Sequence, residues 1–364
     1  MNSVTEYENR SDNAILKEKY GTINYNEEID IYTLTNAASA QVRITNFGAI
    51  VQSLLVPDRY NNFADIVLGF DTLPEYLNDD SFFGAIVGRF GNRIEKGKFH
   101  LHGIEYNLTL NEAKNHLHGG HKGFCKKVWQ AEPFACKKGP ALKLTCYSPH
   151  LEEGYPGNVK IKVVYTLTDA NELMIDYTAT TDRTTIINPT HHSYFNLSGD
   201  PATSILNHKL SIDADMYTPI DSENIPLGVM IPVENTPLDF RKSMKIGTRI
   251  SGIGERNYWP GGYDHNLVLN NFNGYVRKVA SLCDPGTGRC MELFTDQPGL
   301  QFYSGNLLNS NIVGKKGVCY LPRSGLCLEA QHFPNSPNIK LFPSVTLKPG
   351  ETYRQTTIYK FTTL

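Results

Sequence analysis

No stretch of this chain stays apolar for long. The strongest run, FFGAIVG at Phe82–Gly88, falls far short of the roughly 20 residues that cross a bilayer as a helix, and the opening MNSVTEYENR has no apolar core of a signal peptide. No sign of charge dominates either: 35 Lys and Arg against 37 Asp and Glu leave a net charge of −2. Composition therefore gives no reason to expect nucleic acid or a membrane surface as partner. The seven cysteines (Cys125, Cys136, Cys146, Cys283, Cys290, Cys319 and Cys327) include no C-x-x-C pair. Free thiols in a reducing compartment are expected, rather than a disulfide scaffold or a zinc knuckle. Together these absences point to a soluble, cytoplasmic protein.

Catalytic signatures are missing as well. There is no G-x-x-x-x-G-K-[ST] phosphate loop, no H-E-x-x-H zinc helix and no G-x-S-x-G nucleophile elbow. Nothing alternates as β-α-β, so a dinucleotide-binding fold is disfavoured. Long helical periodicity is absent too, interrupted throughout by 30 glycines and 20 prolines.

What remains is a succession of short strands. NVKIKVVYTL sets Val159, Ile161, Val163, Tyr165 and Leu167 on one face with lysines on the other, and TDAN then leads into ELMIDYTATT, which predicts a hairpin. Similar elements recur in AQVRITNFGAIVQSLLVPD, ALKLTCYS and HKLSIDAD. Two strands around Asp284-Pro285-Gly286-Thr287-Gly288, and two more around Pro349-Gly350, repeat the pattern. The expected fold is all-β, a large twisted antiparallel β-sandwich. No linker divides the chain, so a polar N-terminal segment (1–20), loose or at an edge, precedes one domain (21–364).

Five polar clusters could carry chemistry. GRFGNRI offers Arg89, Asn92 and Arg93, either as a structural salt bridge or as a fork for an oxygen-rich ligand. The spacing of His116, His118 and His121 in NHLHGGHKGF invites a metal reading, yet no carboxylate or cysteine in the motif completes a site. Gly119-Gly120 suggests a tight loop where backbone approaches a ligand. In THHSYFNLSG an extended backbone points His191 and His192 to opposite faces, so only one meets a given pocket. Tyr194 and Phe195 fit core or pocket wall. GGYDHN holds Asp264 and His265, where the aspartate either caps a turn or accepts hydroxyl hydrogen bonds. In CLEAQHF, Glu329 stands in an apolar run where a charge is costly, and burial would raise its pKa toward general-base range.

The ordered series NFGAIVQSLLVPD, DIVLGFD, GRFGNRI, NHLHGG, EEGYPGN, THHSYFNLSG, TPLDFR, GYDHN, TDQPGLQFYSGN and CLEAQHFPNSPN resembles the aldose 1-epimerase (galactose mutarotase) family along essentially the whole chain. The resemblance implies interconversion of α and β anomers of free hexoses such as galactose and glucose, with no cofactor and no metal. It implies Glu329 as general base at the C1 hydroxyl, His192 as general acid at the ring oxygen and His118 as a second histidine near the reacting centre. Asn92, Arg93, Asp264 and Gln297 match ligands of sugar hydroxyls. The implied partner is a free monosaccharide, with no nucleic acid or membrane, on a monomer or homodimer. Gly91, His191 and Ala330 depart from residues common in the family, and His191 alters the surroundings of His192 most. Two alternatives remain: a hexose-6-phosphate epimerase, needing a cationic clamp from Arg89 or nearby lysines, and an inert sugar-binding protein, which would have lost the acid or the base.

Overall fold

The computed structural model describes residues 14–24, 27–255 and 260–364. Its architecture is all-β and antiparallel, with one short α-helix, Leu73–Asn78, among the described residues. A nine-stranded sheet runs in the order Gln130–Cys136, Gly139–Ser148, Val159–Leu167, Glu172–Thr181, Tyr353–Thr363, Arg289–Thr295, Arg277–Cys283, Lys209–Ile212 and Met244–Lys245. A five-stranded sheet begins at its edge with Ile15–Ile23 and continues through Glu27–Thr35, Gln41–Thr45, Val51–Pro57 and Phe63–Asp65. Residues 1–13 of the polar N-terminal segment lie outside the described residues. A second five-stranded sheet orders Ile231–Pro232, Met216–Tyr217, Asp264–Val268, Gly299–Tyr303 and Cys327–Gln331. No described helix is long and apolar enough to cross a membrane.

Alternation along the strands explains the core. Val159, Ile161, Val163, Tyr165 and Leu167 are fully buried while Lys160 and Lys162 face solvent, and the strand pairs with Glu172–Thr181 as its period-2 pattern requires. One contiguous apolar cluster takes Leu34 and Val42 from the first small sheet, Tyr177 and Tyr359 from the large one, and Phe302, Leu328 and Ala330 from the second. Burial of each such large side chain contributes about 1.5–3 kcal/mol.

Two expectations change. The segments flanking Pro349-Gly350 do not pair with each other. Thr346–Leu347 joins Thr185–Ile186, whereas Tyr353–Thr363 lies inside the large sheet with both edges taken by Glu172–Thr181 and Arg289–Thr295. The turn residues mark a change of direction, and the neighbouring strands decide the partners. The cysteines are not all free thiols: Cys283 and Cys290, directly opposite in the hairpin around Asp284–Gly288, form a disulfide. Their spacing carries no motif, and only the register brings them together. Cys125, Cys136, Cys146, Cys319 and Cys327 are free.

The strand Cys327–Gln331 positions the site. It forms one edge of its sheet and pairs on its other side with Gly299–Tyr303, which sets Gln301 opposite Glu329. Leu328 and Ala330 enter the core, so alternation turns Cys327 and Glu329 the other way. Its outward carbonyls are met by side chains: the Tyr359 hydroxyl donates to Leu328 O at 3.1 Å, while Thr190 Oγ1 (3.0 Å) and Gln355 Nε2 (3.1 Å) donate to Ala330 O.

Candidate active site

Above this strand lies a cavity of about 160 Å³, lined by Asn92, Arg93, His118, His192, Asp264 and Glu329, with Phe82, Glu112, Tyr194 and Tyr303 among the remaining walls. A larger open groove of about 920 Å³ runs past Lys126, Lys127 and Lys160, but its Asp80 and His121 face solvent. The smaller cavity holds the buried, convergent polar groups expected of a functional pocket.

Short backbone pairings deliver the cavity's side chains. Arg93–Ile94 pairs with His116–Leu117, so Arg93 and His118 arrive from adjacent strands. Asn92 and His118 both have positive φ (65° and 51°), which turns each chain into the cavity. Gly119 follows at φ 90°, and a Cβ there would lie 1.8 Å from Gly88 O, so only glycine permits this approach. The Asn92 amide donates to His118 Nδ1 at 3.0 Å. That bond occupies the Nδ1 lone pair, so neutral His118 carries its proton on Nε2. Burial, with His192 and Arg93 nearby, pushes His118 well below the usual imidazole range and keeps it neutral.

His191 and His192 diverge as the register argument requires. His192 lines the cavity, its Nε2 3.7 Å from Glu329 Oε1. His191 is 2% exposed, with Nε2 2.7 Å from Ser193 Oγ and Nδ1 3.5 Å from the Tyr165 hydroxyl. Neither is exposed to solvent. Burial pushes His192 down to about 4. Glu329 is 2% exposed and its Oε2 has no hydrogen-bond partner among the described residues. Burial, and then Asp264, raise its pKa well above the carboxylate range, against the pull of Arg93. Burial thus drives His192 and Glu329 toward their neutral forms.

Arg93 sits among carboxylates. It donates twice to Glu112, from Nε and Nη2 at 2.6 Å, and Nη1 lies 3.6 Å from Asp264 Oδ2. Burial alone would lower its pKa, but Glu112 and Asp264 outweigh it, so the guanidinium stays charged. Asp264 opens its strand opposite Tyr303 and accepts from Gln301 Nε2 at 2.6 Å. Phe82 reaches over both histidines, its ring centre 4.8 Å from that of His118 and 5.8 Å from that of His192.

Six of the seven expected site residues meet here, and Gln297 does not. Its Nε2 donates to Asp296 Oδ1 at 2.8 Å and its Oε1 lies 2.9 Å from His332 Nδ1. The glutamine beside Asp264 is Gln301, four residues on, which only the pairing with Glu329 singles out. Glu112 and Cys327 also went unmarked; Glu112 lies outside every motif, and its tie to Arg93 is visible only in three dimensions.

Arg89 is structural. It is 2% exposed and donates to Pro156 O, Gly157 O, Ser148 O, Ser148 Oγ and Pro149 O, which leaves no fork for a ligand. The histidine trio does not converge on a metal either. His116 is buried between Thr109 O and the Tyr155 hydroxyl, each 2.6 Å away, and His121 is exposed. A different trio comes close: ligand atoms of His118, His192 and Glu329 lie within 4.8 Å of one another. The tautomer of His118 argues against an ion there, because its Nδ1 is taken by an amide and its Nε2 bears the proton.

The model of the family described as Aldose 1-epimerase matches residues 30–360. Galactose mutarotase of Mus musculus is 44% identical over 325 residues, spanning 88% of this chain and 90% of that protein. Aldose 1-epimerase of Escherichia coli (strain K12) is 32% identical over 333 residues, spanning 91% and 94%. Among solved structures, an aldose epimerase homologue from C. elegans superposes with a TM-score of 0.83 at 28% identity, over 92% of this chain and 99% of that one. Galactose 1-epimerase from Lactobacillus acidophilus NCFM gives 0.81 at 28%, over 96% and 98%. With a family match running from residue 30 to residue 360, and relatives above 30% identity in an animal and a bacterium, the chain belongs to the aldose 1-epimerase family.

Proposed function

We propose that this protein interconverts the α and β anomers of free hexoses, such as galactose and glucose, by acid–base opening and closing of the sugar ring. The observation that carries the reading is the pair Glu329 and His192, buried and 3.7 Å apart in a cavity otherwise lined by hydroxyl-binding groups. Opening a hemiacetal removes a proton from the C1 hydroxyl and adds one to the ring oxygen as the C1–O5 bond breaks. Rotation about C1–C2 then presents the other carbonyl face, and the reverse transfers close the ring. Each positioned acid or base contributes ~10²–10⁴-fold to such a step.

The unpartnered Oε2 of Glu329 suits the C1 hydroxyl as acceptor. A hydroxyl hydrogen bond stabilises the carboxylate, so substrate binding favours Glu329 ionised and the pair's single proton on His192 Nε2. From there it passes to the ring oxygen. His118, fixed as an Nε2–H donor, supplies a neutral hydrogen bond near the reacting centre. Asp264 with Gln301, and Arg93 with Glu112, suit ring hydroxyls and hold the sugar in register.

Charge favours a free sugar over a phosphate ester. The lining carries Glu112, Asp264, Glu329 and Asp80 against the single cation Arg93, itself engaged by two of those carboxylates. Arg89, the other candidate for a clamp, is committed to backbone carbonyls. The test is polarimetry on freshly dissolved α-galactose, α-glucose and glucose 6-phosphate. The free sugars should approach anomeric equilibrium faster with the protein present. Acceleration confined to the phosphate ester would overturn the substrate assignment, and acceleration of none would overturn the reaction.

A further inference from the structure

One wall contact has no part in those steps: His192 Nδ1 lies 3.6 Å from the sulfur of Cys327. It is built from the backbone outward. Phe195 N donates to Leu326 O at 2.7 Å and Leu326 N to Phe195 O at 3.0 Å, which fixes the histidine segment beside the strand that carries Glu329. Cys327 is fully buried among Phe83, Tyr194, Tyr303 and Tyr320, and burial pushes its thiol well above the ordinary range, so it stays protonated and inert as a nucleophile.

The chemistry asks something specific of His192. Its Nε2 faces Glu329 and must both lose and regain a proton in each turnover. A neutral imidazole carries one ring proton, so Nε2 can accept only while Nδ1 keeps the other. We propose that Cys327 is a positioning residue, whose sulfur accepts the Nδ1–H of His192 and so keeps Nε2 as the exchanging atom. His118 is the counter-example in the same cavity, where an amide donates to Nδ1 and fixes the proton on Nε2. Two histidines at one site therefore hold opposite tautomers, one set by an acceptor and one by a donor. The choice of sulfur has a reason. A carboxylate at that place would hold the ring as imidazolium, whereas a neutral, weak acceptor fixes the tautomer and adds no charge.

The role rests on His192 being the acid, and two readouts separate the two ideas. Nitrogen-15 NMR of the histidine side chains in the intact protein, without sugar, should show His192 as the Nδ1–H tautomer and His118 as Nε2–H. Nε2–H at His192 would overturn the proposal whatever the activity. Kinetically, Cys327→Ala should lower kcat ~10–100-fold while KM moves less than about 2-fold, and Cys327→Ser, whose hydroxyl also accepts, should recover most of the rate. An alanine variant with wild-type kcat, or a serine variant as slow as the alanine one, would reduce Cys327 to packing.

Discussion

Replacing Glu329 with glutamine separates chemistry from stability, and the structure gives a sign to each effect. The amide keeps the shape of the side chain but cannot take the proton from the C1 hydroxyl. Loss of a general base should lower kcat ~10²–10⁴-fold, or about 3–5 kcal/mol of barrier at 1.36 kcal/mol per decade, with little change in KM. Stability should move the other way. Burial and Asp264 raise the folded pKa of Glu329 above its unfolded value, so between those two values the folded protein holds a proton that the unfolded chain releases. Below the unfolded carboxylate value, about 4.3, both states are protonated and the glutamate costs nothing. As pH rises through the window the unfolded state gains an ionised carboxylate that the folded state withholds, and wild-type stability falls. Glutamine does not titrate and escapes this penalty. Thermal unfolding should therefore give the variant a Tm at least equal to wild type at pH 8, with the gap closing toward pH 4. Polarimetry with α-galactose reads the rate. A variant within 10-fold of wild type would sink Glu329 as base, and a Tm clearly below wild type at pH 8 would refute the buried-carboxylate argument.

The pH–rate profile follows from the same pair. In the proposed mechanism activity needs one proton shared between Glu329 and His192, and burial penalises the states with two protons or none. A second proton enters at His192, pushed down to about 4, so kcat/KM should fall only below that pH, and the alkaline limb lies at the raised Glu329 value. An acid limb near the unperturbed imidazole value of about 6.5 would contradict this. Gln301→Ala removes the 2.6 Å donor to Asp264 and should lower kcat/KM by ~10-fold or more, a charged hydrogen bond being worth ~1.5–3 kcal/mol. Gln297→Ala should stay within ~3-fold, since its partners lie outside the cavity; the reverse order would restore Gln297 to the site. Alkylation of the unfolded, unreduced protein should modify five cysteines by mass spectrometry, and all seven after reduction. Seven without reductant would remove the Cys283–Cys290 bridge.

Local alternation made much of the sheet structure readable. The face from Val159 to Leu167 is the buried face, and the turn at Asp284–Gly288 does join two paired strands. Reading failed where a partner is chosen at long range. Thr346–Leu347 and Tyr353–Thr363 look like a hairpin because proline and glycine separate them, yet each is claimed by a strand far away in sequence. The site shows the same division. Glu329 announced itself as a charge in an apolar run, and His192 was separated from His191 by the period of an extended chain. Gln297 and Gln301 carry the same side chain in one motif, and nothing local distinguishes them; the pairing of Gly299–Tyr303 with Cys327–Gln331 does. Glu112 and the disulfide were invisible for the same reason, because their meaning lies in what stands opposite them.

The strand bearing Glu329 is a border strand, and borders of sheets ordinarily recruit another strand, from the same chain or a foreign one. Here the vacancy is filled by a hydroxyl from Thr190, an amide from Gln355 and a phenol from Tyr359, none of which lines the cavity. Glu329, the base of the proposed reaction, is therefore held in place from behind, by residues outside the cavity. If Glu329 is the base, turnover is open to adjustment by drift at positions that a survey confined to substrate contacts would pass over as scaffold.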